Sequence, residues 1–150
     1  MRKVHYNNIV ARLFLWRKRF NTGMFFGFIC TKRKATDPLT LQAINHEAIH
    51  AEQYAEITAV ALVLAAVFAT FTGWTAWPFL AALVLYYVVY FVEAAISWVY
   101  NTIRNKKGTN AADNAYYNSM FEMESHAHEA NIGYIPVRRS FHWLRNFGKI

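Results

Sequence analysis

From Ile57 to Tyr100 the chain carries no Lys, Arg or His, and its only acid there is Glu93. Few environments accept such a stretch. A helix on a soluble domain needs a charged face toward water, whereas a bilayer interior penalises each charge. The stretch divides at Gly73-Trp74-Thr75-Ala76-Trp77-Pro78. Gly and Pro interrupt helices, and indoles favour the water–lipid boundary. Two transmembrane helices are therefore predicted, over 57–77 and 78–100. At about 1.5 Å per residue they rise roughly 31 and 34 Å, against a hydrocarbon core of about 30 Å. The small residues Ala61, Ala65 and Ala69 are spaced to let two such helices approach closely. Glu93 lies about 10 Å from the end of its span. An acid at that depth is either hydrogen-bonded and protonated or functional, and it is given no catalytic role.

Charge supplies an orientation. All sixteen Lys and Arg lie outside this stretch, nine before Ile57 and seven after Tyr100. A hairpin places both flanks on one side, so the positive-inside rule puts both termini in the cytoplasm of a multi-pass inner-membrane protein. The one cysteine, Cys30, excludes an intramolecular disulfide and suits a reducing compartment. The opening MRKVHYNNIV has no continuous apolar segment with a cleavage site, so no cleavable signal peptide is expected. Arg17-Lys18-Arg19 and Lys32-Arg33-Lys34 stand among aromatics, a pattern shared by nucleic-acid binders. Beside a membrane hairpin, attraction to anionic lipid heads accounts for them, and no nucleic acid is expected as a partner. The 150 residues suit one domain.

Chemistry enters at Asn45-His46-Glu47-Ala48-Ile49-His50, an HExxH motif. Residues four apart on a helix share a face, so His46 and His50 can reach one ion. Glu47, one residue round, can take a proton from an attacking water and deliver it to a leaving amine. Asp37-Pro38 reads as an N-cap followed by proline in the first helical position, and no Gly or Pro follows before the first span. The motif is thus predicted to be helical. His50 lies seven residues before Ile57, about 10 Å from the apolar segment.

A catalytic zinc takes three protein ligands and keeps one position open. The third donor belongs in AYYNSMFEMESHAHE, residues 115–129. On a helix, Glu122, His126 and Glu129 form one stripe, while Glu124 and His128 form another. Periodicity does not choose between them, and so dense a set of acids and imidazoles also suits a solvated face.

With these blocks in view, the chain resembles small bacterial membrane metallopeptidases of the gluzincin type. It is similar to the HtpX and CAAX-prenyl endopeptidases and to the protease domain of beta-lactam sensor receptors. The resemblance runs from about Met24 to the C-terminus. It rests on MFFGFICTKR, INHEAIHAEQ, the apolar hairpin, the 115–129 block and a basic aromatic tail. The pattern Asn-x-x-Phe-Glu-x-Glu-small matches Asn118, Phe121, Glu122, Glu124 and Ser125. The resemblance implies Glu122 as third zinc ligand beside His46 and His50, Glu47 as general base, and a peptide or protein substrate. Endopeptidase relatives place Asp four residues after that ligand, to orient a zinc-bound His; here the position is His126. His126 and Glu124 are therefore candidate supporting residues rather than assigned ligands. His142, Tyr134 and Tyr117 are candidates to stabilise an oxyanion, with little to separate them.

Before the motif, ARLFLWRKRF and MFFGFICTKR read as two strands around the loop Asn21-Thr22-Gly23. The resemblance implies Met24–Thr31 as an edge strand that holds substrate. An amphipathic helix over Ile9–Phe20 fits the same residues, because Ile9, Leu13, Trp16 and Phe20 also make a helical stripe. Asn105–Asn110 reads as a loop, and PVRRSFHWLRNFGKI as an interfacial helix. The expected whole is a mainly α membrane protein: a two-helix transmembrane hairpin, a cytoplasmic zincin-like helical site and a short N-terminal β-hairpin. Its expected activity is zinc-dependent peptide-bond hydrolysis at the cytoplasmic membrane face. The alternative is a non-catalytic membrane binding or sensor protein with a structural zinc, closed by a fourth ligand such as Glu124, His126 or His128.

Overall fold

The computed structural model describes residues 2–15, 20–104 and 111–149. The fold is mainly helical, with two long apolar helices and one small sheet. The chain forms two compact units. Unit 1 comprises Met1–Tyr54 and Ser125–Arg139, and unit 2 comprises Ala55–Glu124 and Ser140–Ile150.

Unit 1 begins with β1 (Val4–His5) and a short helix, α1 (Ile9–Phe14), then β2 (Thr22–Phe25) and β3 (Phe28–Thr31). The expected β-hairpin exists, but one strand later than the sequence reading placed it. Ile9–Phe14 is helical rather than extended, started by Asn8, whose side chain accepts the Val10 N–H at 2.8 Å. The turn lies at Phe26-Gly27, not at Asn21-Thr22-Gly23. Both turn residues have positive φ, 50° and 83°, the signature of the tight turns that match strand twist. Glycine takes that geometry readily, whereas phenylalanine at 50° hides the turn from a reading by composition. Met24–Thr31 is accordingly two strands, not one edge strand. In the order β1-β3-β2, β3 is central, pairing parallel with β1 (Val4 to Ile29) and antiparallel with β2 (Met24 to Ile29). Cys30 lies on this central strand, buried, and burial raises its thiol pKa. The cluster Arg17-Lys18-Arg19 lies outside the described residues, as does the expected loop at 105–110.

The next helix, α2 (Leu41–Thr72), runs unbroken for 32 residues. It starts three residues after Pro38, because Thr40 rather than Asp37 caps it: the Thr40 hydroxyl accepts the Ala43 N–H at 3.2 Å. Asp37 instead takes a paired contact from Arg33 at 2.7 and 2.8 Å. In unit 1, Ile29, Leu39, Ile44 and Ala48 form a buried core with Val4, Tyr6 and Ile135 against it. Ile135 belongs to a single helical turn, α6 (Tyr134–Val137).

In unit 2, α2 ends at Thr72, short of the expected Trp77, and α3 (Trp77–Arg104) begins after a turn in which Gly73 has φ 88°. Trp77 therefore opens the second apolar helix rather than closing the first. Helix α3 buries a narrow stripe, Ala82, Tyr86 and Ser97, with Tyr90 and Glu93 half-buried on the same side. Leu80, Val88, Phe91, Val92 and Ile96 are exposed. On α2, Ala61, Ala65 and Ala69 are buried. Helix α4 (Ala111–Tyr117) packs on α3, and α5 (Met120–His128) follows. Phe121 is fully buried among the rings of Tyr86, Tyr90 and Trp143, a contribution of roughly 1.5–3 kcal/mol. The tail is a short 3₁₀ helix (His142–Asn146), not a long interfacial helix. Glu56 secures it, accepting the Phe141 backbone N–H and the Trp143 indole N–H, both at 2.9 Å.

Candidate metal site

His46 and His50 lie one helical turn apart on α2, both almost fully buried. Each imidazole is turned by a hydrogen bond at Nδ1. His46 Nδ1 is 2.8 Å from Glu129 Oε2, and His50 Nδ1 is 2.8 Å from Gln53 Oε1. A carboxylate only accepts, so His46 carries its proton on Nδ1; the Gln53 carbonyl fixes His50 likewise. Ser125 Oγ approaches the same His50 nitrogen at 3.5 Å. The two Nε2 atoms then face each other across 3.1 Å. At that distance the two nitrogens either share a proton, one ring being imidazolium, or turn their lone pairs to one cation. Tetrahedral zinc with Zn–N near 2.0–2.1 Å sets its donor nitrogens roughly 3.3 Å apart, so this pair has the spacing of two ligands.

Glu129, rather than the residue at position 126, is the carboxylate that accepts from His46 Nδ1. A carboxylate on the far nitrogen of a ligating histidine fixes its tautomer and raises its basicity. Gln42 donates to the other Glu129 oxygen at 2.7 Å, and His126 Nδ1 approaches Oε2 at 3.3 Å. Burial raises the Glu129 pKa, but the hydrogen bonds from Gln42 and His46 and the nearby imidazoles more than offset this, so its pKa is lowered. The His126 ring lies 4.9 Å from that of His46. Asn45 ties down the chain that leaves α5: its amide nitrogen donates to the carbonyls of His128, Glu129 and Asn131 at 3.0–3.1 Å. Glu47 follows His46 on the helix and is half-buried.

The remaining expected residues divide as follows. Glu122 and Glu124 belong to unit 2, and both are buried, at 3% and 1% exposure. Tyr90 Oη donates to Glu122 Oε1 at 2.8 Å. Glu124 Oε1 is 3.5 Å from His142 Nδ1. In unit 1, His128 stacks on Tyr134, ring centres 3.8 Å apart and nearly parallel. Tyr117 is half exposed. A cavity of about 360 Å³ in unit 1 lies along Leu41, Ile44, Asn45 and Ala48, the face of α2 turned away from His46 and His50. Its lining includes neither histidine, so it is not a metal-centred cleft. Sequence reasoning missed Gln53, Tyr90 and the role of Glu129. Only Glu129 left a signal, its place on the Glu122–His126 stripe.

Comparison of the chain with protein-family models, curated proteins and solved structures finds no match.

Proposed function

We propose that the chain is a membrane-embedded zinc metallopeptidase, with His46, His50 and Glu122 as metal ligands. The observation that carries this reading is the 3.1 Å approach of the two Nε2 atoms, each turned there by a hydrogen bond at Nδ1. Bound zinc supplies Lewis acidity, which eases loss of a proton from water and polarises a peptide carbonyl. Glu47 takes that proton and returns it to the leaving amine. Glu129 holds the His46 ring and balances the charge that the imidazole gives to the metal.

Insertion of α2 and α3 in a bilayer is part of the proposal. Only 28% and 11% of their most apolar stretches are buried within the chain, which suits lipid-facing helices better than core helices of a soluble domain. Both termini lie in the cytoplasm, since the basic residues flank the hairpin and the turn has none. A membrane-impermeant thiol reagent should label Thr75→Cys from outside intact cells. Labelling from the cytoplasmic side alone would reverse the orientation.

The central experiment measures zinc per chain and cleavage of a membrane-presented peptide library. Wild type should hold one zinc and cleave. Glu47→Gln should keep the zinc and lose roughly 10²–10⁴-fold in turnover, since an amide has the shape but not the basicity. Undiminished cleavage by that variant sinks the mechanism. A second reading, a non-catalytic binding or sensor protein with a structural zinc, is favoured by one observation, the His126 ring 4.9 Å from His46. With His126 as fourth ligand the site is closed, and wild type would hold zinc without cleaving.

A further inference from the structure

Two residues of α3, Tyr90 and Glu93, stand three apart on its half-buried side, and both reach the first turn of α5. Glu93 Oε1 accepts the Met120 backbone N–H at 2.7 Å, and Oε2 accepts the Ser119 hydroxyl at 2.8 Å. Met120 is the first residue of α5, so its N–H is one of four that the helix itself leaves unbonded. A carboxylate there satisfies the donor and complements the positive end of the helix. Glu93 thus does for α5 what a capping side chain normally does from the preceding residue. That contact accounts for an acid on an apolar helix whose other charged residue, Arg104, stands at its very end.

Glu122 comes two residues later, and Tyr90 Oη donates to its Oε1 at 2.8 Å. Between them, Phe121 is locked among Tyr86, Tyr90 and Trp143, so the backbone on either side has little freedom to rotate. A phenol on one carboxylate oxygen favours presentation of the other oxygen to a cation, giving one-oxygen rather than two-oxygen coordination. We propose that Tyr90 is a positioning residue for the metal: its hydroxyl sets the orientation in which Glu122 binds a divalent ion, and Glu93 fixes the helix start that carries Glu122. This rests on the reading of Glu122 as a ligand.

The test uses the full chain in detergent. Zinc affinity is measured by competition with a chromophoric chelator, and the cobalt(II)-substituted protein is read by its visible absorption. Tyr90→Phe removes only the hydroxyl. It should unfold like wild type, bind zinc roughly 10–100-fold more weakly and shift the cobalt bands. Glu93→Ala should also weaken zinc, and Glu93→Gln should recover most of the loss, because an amide oxygen still accepts the Met120 N–H. Wild-type affinity and an unchanged cobalt spectrum in Tyr90→Phe, in a chain that binds one zinc, overturn the proposal. Absence of zinc from wild type overturns the metal reading itself, and that outcome is seen before any variant is made. Should Glu93→Ala fail to fold, Tyr90→Phe decides alone.

Discussion

Along residues 41–54, helix α2 buries Asn45, His46, His50 and Gln53 beside Ile44, Ala48 and Ile49. Along residues 55–72 it buries Ile57, Thr58, Ala61, Ala65 and Ala69, and exposes Val63, Leu64, Val67 and Phe71. One continuous helix therefore has polar groups inside over its first half and apolar groups outside over its second. The difference shows what each environment demands. In the first half each buried polar side chain has a named partner: three carbonyls for Asn45, Glu129 for His46, and one another for His50 and Gln53. In the second half Glu56 still reaches outward, to Phe141 and Trp143, the buried Thr58 hydroxyl has no partner among the described residues, and two exposed threonines are satisfied within the helix. The hydroxyls of Thr70 and Thr72 donate to the carbonyls of Val67 and Phe68, so they need nothing from their surroundings. The first half uses its hydrogen bonds to orient side chains, and toward its end the second half closes its hydroxyls on its own carbonyls.

The contrast can be broken at either end. Glu129→Ala removes the partner that turns His46, so zinc affinity should fall roughly 10–100-fold, about 1.4–2.7 kcal/mol, in chelator competition. Unchanged affinity would make the polar half a structural network only, and complete loss of zinc would make Glu129 itself a ligand. At the other end, Val63→Ala alters a side chain 64% exposed and should change stability in detergent by no more than about 0.5 kcal/mol. A loss of more than about 1 kcal/mol would mean that this face meets protein rather than lipid.

The two apolar helices and the helical setting of His46 and His50 were legible in the sequence, because each depends on residues within a few turns of one another. Capping was less legible: Asp37-Pro38 carries the stronger compositional signal, yet Thr40 forms the cap. The hairpin was misplaced because its turn uses Phe26 where Asn or Gly would announce it. Strand β1 has two residues and no pattern of its own; it exists only by pairing with β3. The partners of the candidate site were least visible. Glu129 is 83 residues from His46 and Tyr90 is 32 from Glu122, so nothing local marks either contact. Glu93 was noticed for its oddity, but its task became readable only with the start of α5 beside it.

Cys30 sits on the middle strand of the sheet, nearly inaccessible, and burial raises its thiol pKa. Alkylating agents attack the thiolate, so the one native sulfhydryl is a poor target on two counts. The chain therefore comes with its own chemical blank. Any cysteine introduced at an exposed position will carry almost the whole signal of a maleimide, spin label or fluorophore, without first removing a residue from the core of the sheet.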